Sequence, residues 1–130
     1  MLTYFNEEEL CCPTSKEVLL HRGFGEALDE LREAYDNPIP VSSACRSTEH
    51  LNWLLQRGYP ASKNSLHLMV NKKHNCNTLA IDTPVGDSRN RKELIETALG
   101  LGWSVGVART FLHLDRRDFI DLPQIVYVYG

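Results

Sequence analysis

The segment Phe111-Leu-His113-Leu-Asp115 alternates apolar and polar residues, the pattern of a half-buried strand. Alternate side chains of a strand share a face, so Leu112 and Leu114 belong to the core while His113 and Asp115 stand together on the accessible side. Leu79-Ala-Ile-Asp-Thr83 repeats the arrangement, with Leu79 and Ile81 inward and Ala80 and Asp82 outward. Upstream lies Ser65-Leu-His67. Brought together, His67, Asp82 and His113 form a His/Asp/His set, and three protein ligands with an open fourth position is the pattern of catalytic zinc, one Zn²⁺ per chain. Zinc held in this way lowers the pKa of its water to about 7 and polarises a substrate carbonyl. No His-Glu-x-x-His occurs, which excludes the helix-borne layout of zinc proteases. In Val41-Ser-Ser-Ala-Cys-Arg-Ser47 a strand runs into a helix N-terminus, where the Arg46 guanidinium can grip a carboxylate with two hydrogen bonds. Taken singly, His113 with Asp115 reads as a surface ion pair and Arg46 as an ordinary surface charge.

The elements that must position these residues follow from periodicity and caps. Thr14-Ser-Lys-Glu17 has the capping-box form and predicts a short helix over Lys16 to Leu20. Phe24, Leu28, Leu31 and Tyr35 recur at helical spacing, and Asp36-Asn37-Pro38 stops that helix. Pro40-Val-Ser-Ser43 reads as a short strand, and Ser47 can cap a helix through Trp53, Leu54 and Leu55 that ends at Gly58. From Gly58 to Asn77 the chain is polar and irregular, a length that in compact domains tends to be functional. A further helix is expected from Asn90 to about Leu101, closed by Gly102. The β-rich runs Ser104 to Ala108, Thr110 to Asp115 and Ile125 to Tyr129 follow. They lie too close together for helical crossovers, which favours antiparallel pairing. The expected class is α+β: helices packed on a small antiparallel sheet, with the zinc site on its open face. Trp53 and Trp103 are expected in the core, Tyr127 and Tyr129 on one sheet face as packing residues, and His21 and His50 outside the chemistry.

The chain has 130 residues, a length that suits one domain over 1–130. Its 14 lysines and arginines against 17 acidic residues leave a net charge of -3, without the basic excess of a general nucleic-acid binder. The longest charge-free stretch, Thr97 to Ala108, falls short of the roughly 18 to 20 apolar residues that span a bilayer, so no membrane partner is expected. The first residues carry no basic region followed by an apolar one, so no secretory signal is read. Cys11, Cys12, Cys45 and Cys76 form no Cys-x-x-Cys and are expected reduced and partly buried, and a monomer is expected.

Taken in order, these segments resemble the zinc D-alanyl-D-alanine carboxypeptidase and L-alanyl-D-glutamate endopeptidase family, particularly its short phage-type branch. Phe24 to Tyr35 followed by Pro40-Val-Ser-Ser-Ala-Cys-Arg46-Ser47 is similar to its opening helix and S-x-Y-R-S segment, with Cys45 in place of the aromatic. Ser65-Leu-His67 and Ala80-Ile-Asp82 resemble the start and end of its S-x-H-x-x-G-x-A-x-D signature. Leu99-Gly-Leu-Gly-Trp103 onward to Phe111-Leu-His113-Leu-Asp115 resembles its closing helix and strands with F-x-H-x-D. The resemblance implies that His67, Asp82 and His113 bind zinc, that Arg46 holds a substrate carboxylate or carbonyl, and that Ser65 hydrogen-bonds the substrate. It further implies a peptidoglycan stem peptide as substrate. The protein would be made in a host cytoplasm and act on the wall after release or as a virion component. Beyond Cys45, the chain departs from the family in three places. The His-to-Asp gap is 82 - 67 = 15 rather than seven, so the residues around Val70 to Asn77 must loop out; His74, at 82 - 74 = 8, is a rival ligand. Thr78 stands where the signature has glycine. Thr110 stands where many relatives carry a glutamate base, which leaves Asp115 to act on protons or to fix the His113 ring. A catalytically silent, zinc-containing wall-binding module on the same scaffold is the alternative reading.

Overall fold

The computed structural model describes residues 2–129, in the order α1 (Glu7–Leu10), α2 (Phe24–Tyr35), α3 (Thr48–Gln56), β1 (Ala80–Pro84), α4 (Ser88–Gly100), β2 (Ser104–Val107), β3 (Phe111–Asp115), a 3₁₀ turn (Arg117–Ile120) and β4 (Val126–Val128). Met1 and Gly130, the ends of the expected domain, lie outside the described residues. The fold is α+β, a four-stranded sheet of order β1-β3-β2-β4 with helices against its apolar face. Ile81, Leu114 and Val105 come from neighbouring strands in register, and they pack into the same core as Phe24, Leu28 and Leu31 of α2 and Leu94 and Ala98 of α4. Trp103 is fully buried there, its ring 5.6 Å from that of Phe24.

β1 and β2 each pair antiparallel with β3, as short connections require. The expectation of a wholly antiparallel sheet fails at β4, which runs parallel to β2. The reason is the path of the chain. β3 ends beside the start of β2, and the segment 116–125 has only to pass that end of β2 to begin β4 on its far side.

The α2, α3 and α4 helices form where periodicity places them. Ser47 Oγ accepts the His50 N–H at 3.0 Å and caps α3. Gly102, at φ 101°, closes α4 with Trp103 N–H bonded back to the Ala98 carbonyl at 2.9 Å. The Lys16 to Leu20 helix does not form. Lys16 takes φ 62°, Thr14 Oγ1 goes to His50 Nδ1 at 2.7 Å instead of to a helix end, and Leu20 makes a parallel bridge with Thr78. The capping box of this region is Asn6 with Glu9, at the start of α1. Pro40 to Ser43 contributes a single bridge, Ser43 to Asp82, at the outer side of β1. Trp53, expected in the core, is 41% exposed, because α3 turns only Leu51 fully inward; its ring stacks between polar neighbours, including the Arg57 guanidinium 4.1 Å away. No helix among the described residues is long and apolar enough to cross a membrane.

Candidate metal centre

The pairing of β1 with β3 sets Asp82 directly opposite His113. The Asp82 Oδ1 lies 3.0 Å from His113 Nδ1 and 3.1 Å from His67 Nε2, and the ligand atoms of these three residues all fall within 4.8 Å of one another. His67 arrives from the long connection, held by backbone bonds on both sides. The Arg46 N–H donates to the His67 carbonyl at 2.9 Å, and the Leu79 N–H to the Leu66 carbonyl at 2.9 Å. Thr78, in the glycine position of the resemblance, is fully buried and donates its hydroxyl to that same His67 carbonyl at 2.9 Å. The extra residues fold outward as a small hairpin. Asn71 and Cys76 pair antiparallel around a turn with Asn75 at φ 52°, and the Asn77 side chain ties the exit back to the Met69 carbonyl at 2.7 Å. His67, rather than His74, therefore joins the cluster.

The partners on the far side of each ring decide what faces the centre. His67 Nδ1 meets the Ala44 carbonyl at 2.8 Å, and a carbonyl can only accept, so Nδ1 carries the proton and Nε2 presents a lone pair. His113 Nε2 meets Asp115 Oδ2 at 2.8 Å, which by the same reasoning turns the Nδ1 lone pair inward. Two imidazole lone pairs and a carboxylate oxygen thus converge within hydrogen-bond distance. Acceptors do not gather in this way unless positive charge lies between them, either an extra proton or a metal ion. The residues fit a divalent cation, with the outer hydrogen bonds that metal-binding histidines require.

The electrostatics agree. Burial opposes ionisation of Asp82, but hydrogen bonds from His113 and His67 overcome it and hold the carboxyl well below the usual range. Burial keeps His67 neutral. Burial works in the same direction on His113, yet Asp115 and Asp82 on either side outweigh it and push its pKa up to about 9. In the metal-free protein His113 therefore carries the extra proton, and a metal ion must displace it. Affinity for a divalent ion at this site is expected to rise about tenfold per pH unit between roughly pH 7 and 9, with about one proton released per ion. Calorimetric titration of chelator-treated protein in buffers of different ionisation enthalpy measures that release; an affinity flat across the interval would contradict it.

The three candidate ligands line a cleft of about 450 Å³. Arg46 lines it, largely buried, a setting that lowers its pKa somewhat, and its guanidinium forms no ion pair among the described residues. Ser65 lines it too, its Oγ accepting the His67 N–H at 3.1 Å with the hydroxyl proton free to donate. His74 lies on the same wall, carried there by the outward hairpin. Asp115 does not reach the cleft. It shares the sheet face of His113 but is fully buried, with Oδ1 taking the Arg117 N–H and Nε–H and Oδ2 taking Arg117 Nη2–H as well as His113. Of the two roles open to it, the position suits fixing the His113 ring, and Asp82 is left as the single carboxylate lining the cleft among the described residues. Arg117 is a wall residue that sequence reasoning passed over, although the Arg-rich turn directly after Asp115 was a signal for it, and Tyr127 and Tyr129, expected as packing residues, line the cleft as well. His50 bonds Thr14 and stays outside the cleft. Compared with known proteins, the chain matches no family model, no curated protein and no solved structure.

Proposed function

We propose that the chain is a zinc metallopeptidase that hydrolyses an amide in the peptide stem of peptidoglycan, of D-Ala-D-Ala carboxypeptidase or L-Ala-D-Glu endopeptidase type, and that it serves as a phage lysis or virion enzyme. The observation that carries the metal chemistry is the convergence of His67 Nε2, His113 Nδ1 and Asp82 Oδ1 at the floor of an open cleft. The substrate class is supported by the resemblance of the segments around Arg46, His67, Asp82 and His113. Bound zinc would polarise the scissile carbonyl and make water a nucleophile near neutral pH.

The chain's own residues divide the remaining work. Arg46, without a carboxylate partner among the described residues, takes a carboxylate or carbonyl of the substrate, and Ser65 adds a hydroxyl hydrogen bond. Asp115, anchored by Arg117, holds His113 in the tautomer that leaves Nδ1 free. His74 is the cleft imidazole outside the ligand set, and it is the candidate to accept and return a proton.

The test is direct. Zinc-loaded protein is incubated with purified peptidoglycan and with the stem pentapeptide L-Ala-γ-D-Glu-L-Lys-D-Ala-D-Ala, which contains both candidate bonds, and the products are weighed by mass spectrometry. Release of D-alanine or of L-alanine identifies the bond. Arg46→Gln should keep its zinc and raise KM about tenfold, the worth of roughly one charged hydrogen bond. The absence of a second cleft carboxylate among the described residues favours one other reading, a silent wall-binding module. Zinc-loaded protein that binds peptidoglycan and releases nothing from it selects that reading.

A further inference from the structure

The sheet register places Asp82, His113, Gly106 and Tyr127 in one row, one residue from each strand. Side chains in such a row share a face, so Tyr127 of β4 stands on the side of the metal ligands. Gly106 lies between His113 and Tyr127 and contributes no side chain. The phenol ring fills that gap. A Cβ on Gly106 would stand 2.5 Å from the Tyr127 Cζ and 2.7 Å from its hydroxyl oxygen, closer than any side chain allows. Gly106 does not have a positive φ, so its role is close approach and not an unusual backbone conformation.

Because of this gap the ring crosses β2 toward β3 instead of projecting off the edge strand. Its centroid comes to 6.1 Å from that of His113, and the Arg117 guanidinium lies 6.0 Å from it. Both neighbours are themselves fixed by Asp115. The hydroxyl end is thereby held over β2, beside a metal ligand, on the wall of the cleft. Phenylalanine would fill the same gap; what it would lack is the hydroxyl, which stands over Gly106 on the cleft wall with the Tyr129 phenol as its hydrogen-bond neighbour.

We propose that Tyr127 is a substrate-facing hydrogen-bond donor of this cleft, whose hydroxyl donates to the carbonyl oxygen under attack, and that the bare backbone of Gly106 is what admits it. The proposal rests on the peptidase reading. The proton stays on the phenol oxygen throughout, and no bond to Tyr127 forms or breaks. A donor aimed where negative charge develops stabilises the transition state more than the bound substrate, so it raises kcat with little effect on KM.

The experiment compares wild type, Tyr127→Phe and Gly106→Ala as zinc-loaded proteins. Binding of a phosphinate analogue of each candidate amide, whose tetrahedral P–O⁻ mimics the attacked carbonyl, is measured by calorimetry beside hydrolysis of the stem pentapeptide. Tyr127→Phe should keep its zinc, bind the matching phosphinate about 10²-fold more weakly, and lose about 10²- to 10³-fold in kcat at nearly constant KM. Gly106→Ala should show a similar loss while retaining the tyrosine, because the added Cβ displaces the ring. Tyr127→Phe that binds the phosphinate and turns over like wild type overturns the proposal and leaves the peptidase reading standing. Wild-type protein that holds zinc yet neither binds a phosphinate nor cleaves the peptide overturns both.

Discussion

Alanine in place of His67, Asp82 or His113 is expected to empty the metal site and to drop peptide release to the uncatalysed background. Each of these residues supplies one of three ligand atoms within 4.8 Å of one another, and no fourth protein donor joins them among the described residues. A structural zinc site is worth roughly 10–16 kcal/mol over four ligands, so losing one of only three leaves little affinity at ordinary zinc concentrations. His74→Ala should behave differently. It should leave zinc content at one ion per chain, because His74 lies on the cleft wall and outside the cluster, but in the proposed proton-transfer role its loss should cost roughly 10²-fold or more in turnover. Zinc content measured by atomic absorption on all four variants separates these outcomes. A site emptied by His74→Ala and full in His67→Ala would reverse the ligand assignment. His74→Ala that holds zinc and turns over at the wild-type rate would move the proton-transfer role elsewhere.

Asp115 carries the second large effect, and it falls on metal binding and stability more than on chemistry. Its two oxygens satisfy the His113 ring and three donors of Arg117 with no water-exposed surface of its own. Asp115→Ala strands those donors. Breaking a buried pair costs about 3–5 kcal/mol, and the low end applies because Arg117 is only half-buried and can turn to solvent. Against a domain stability of about 5–15 kcal/mol that is a large loss. Asp115→Asn retains the shape and one acceptor, so the fold should survive while zinc affinity falls about 10- to 100-fold. Excess zinc should then restore turnover to near the wild-type value, since Asp115 does not line the cleft. A zinc-saturated Asp115→Asn protein still down by about 10²- to 10⁴-fold would make Asp115 a proton-transfer group after all.

Much of the architecture was legible in the residues because local rules governed it. The apolar spacing of Phe24, Leu28, Leu31 and Tyr35, the Ser47 cap and the Gly102 stop each act within a few residues, and each element formed where those signals stand. The alternation in Phe111 to Asp115 likewise put Leu112 and Leu114 in the core and His113 on the opposite face. The Thr14 to Glu17 motif misled because its competition was distant: Leu20 pairs with Thr78 and Thr14 with His50, contacts no local rule contains. The site divides in the same way. Residue types and strand phase named Asp82 and His113, since the period of two in a strand fixes which side chains can meet across a sheet, while the resemblance of Ser65-Leu-His67 to the family signature named His67 ahead of His74. Only the folded chain shows how the extra residues are absorbed, in the hairpin at Asn71 and Cys76 that returns Thr78 to the His67 carbonyl. Only the folded chain buried Asp115, because the turn after β3 bends Arg117 back over it, and only the parallel seating of β4 brought Tyr127 across Gly106 to His113. These outcomes depend on which segments become neighbours after the connections close, and that is decided by packing of the whole core and not by the spacing of any one segment.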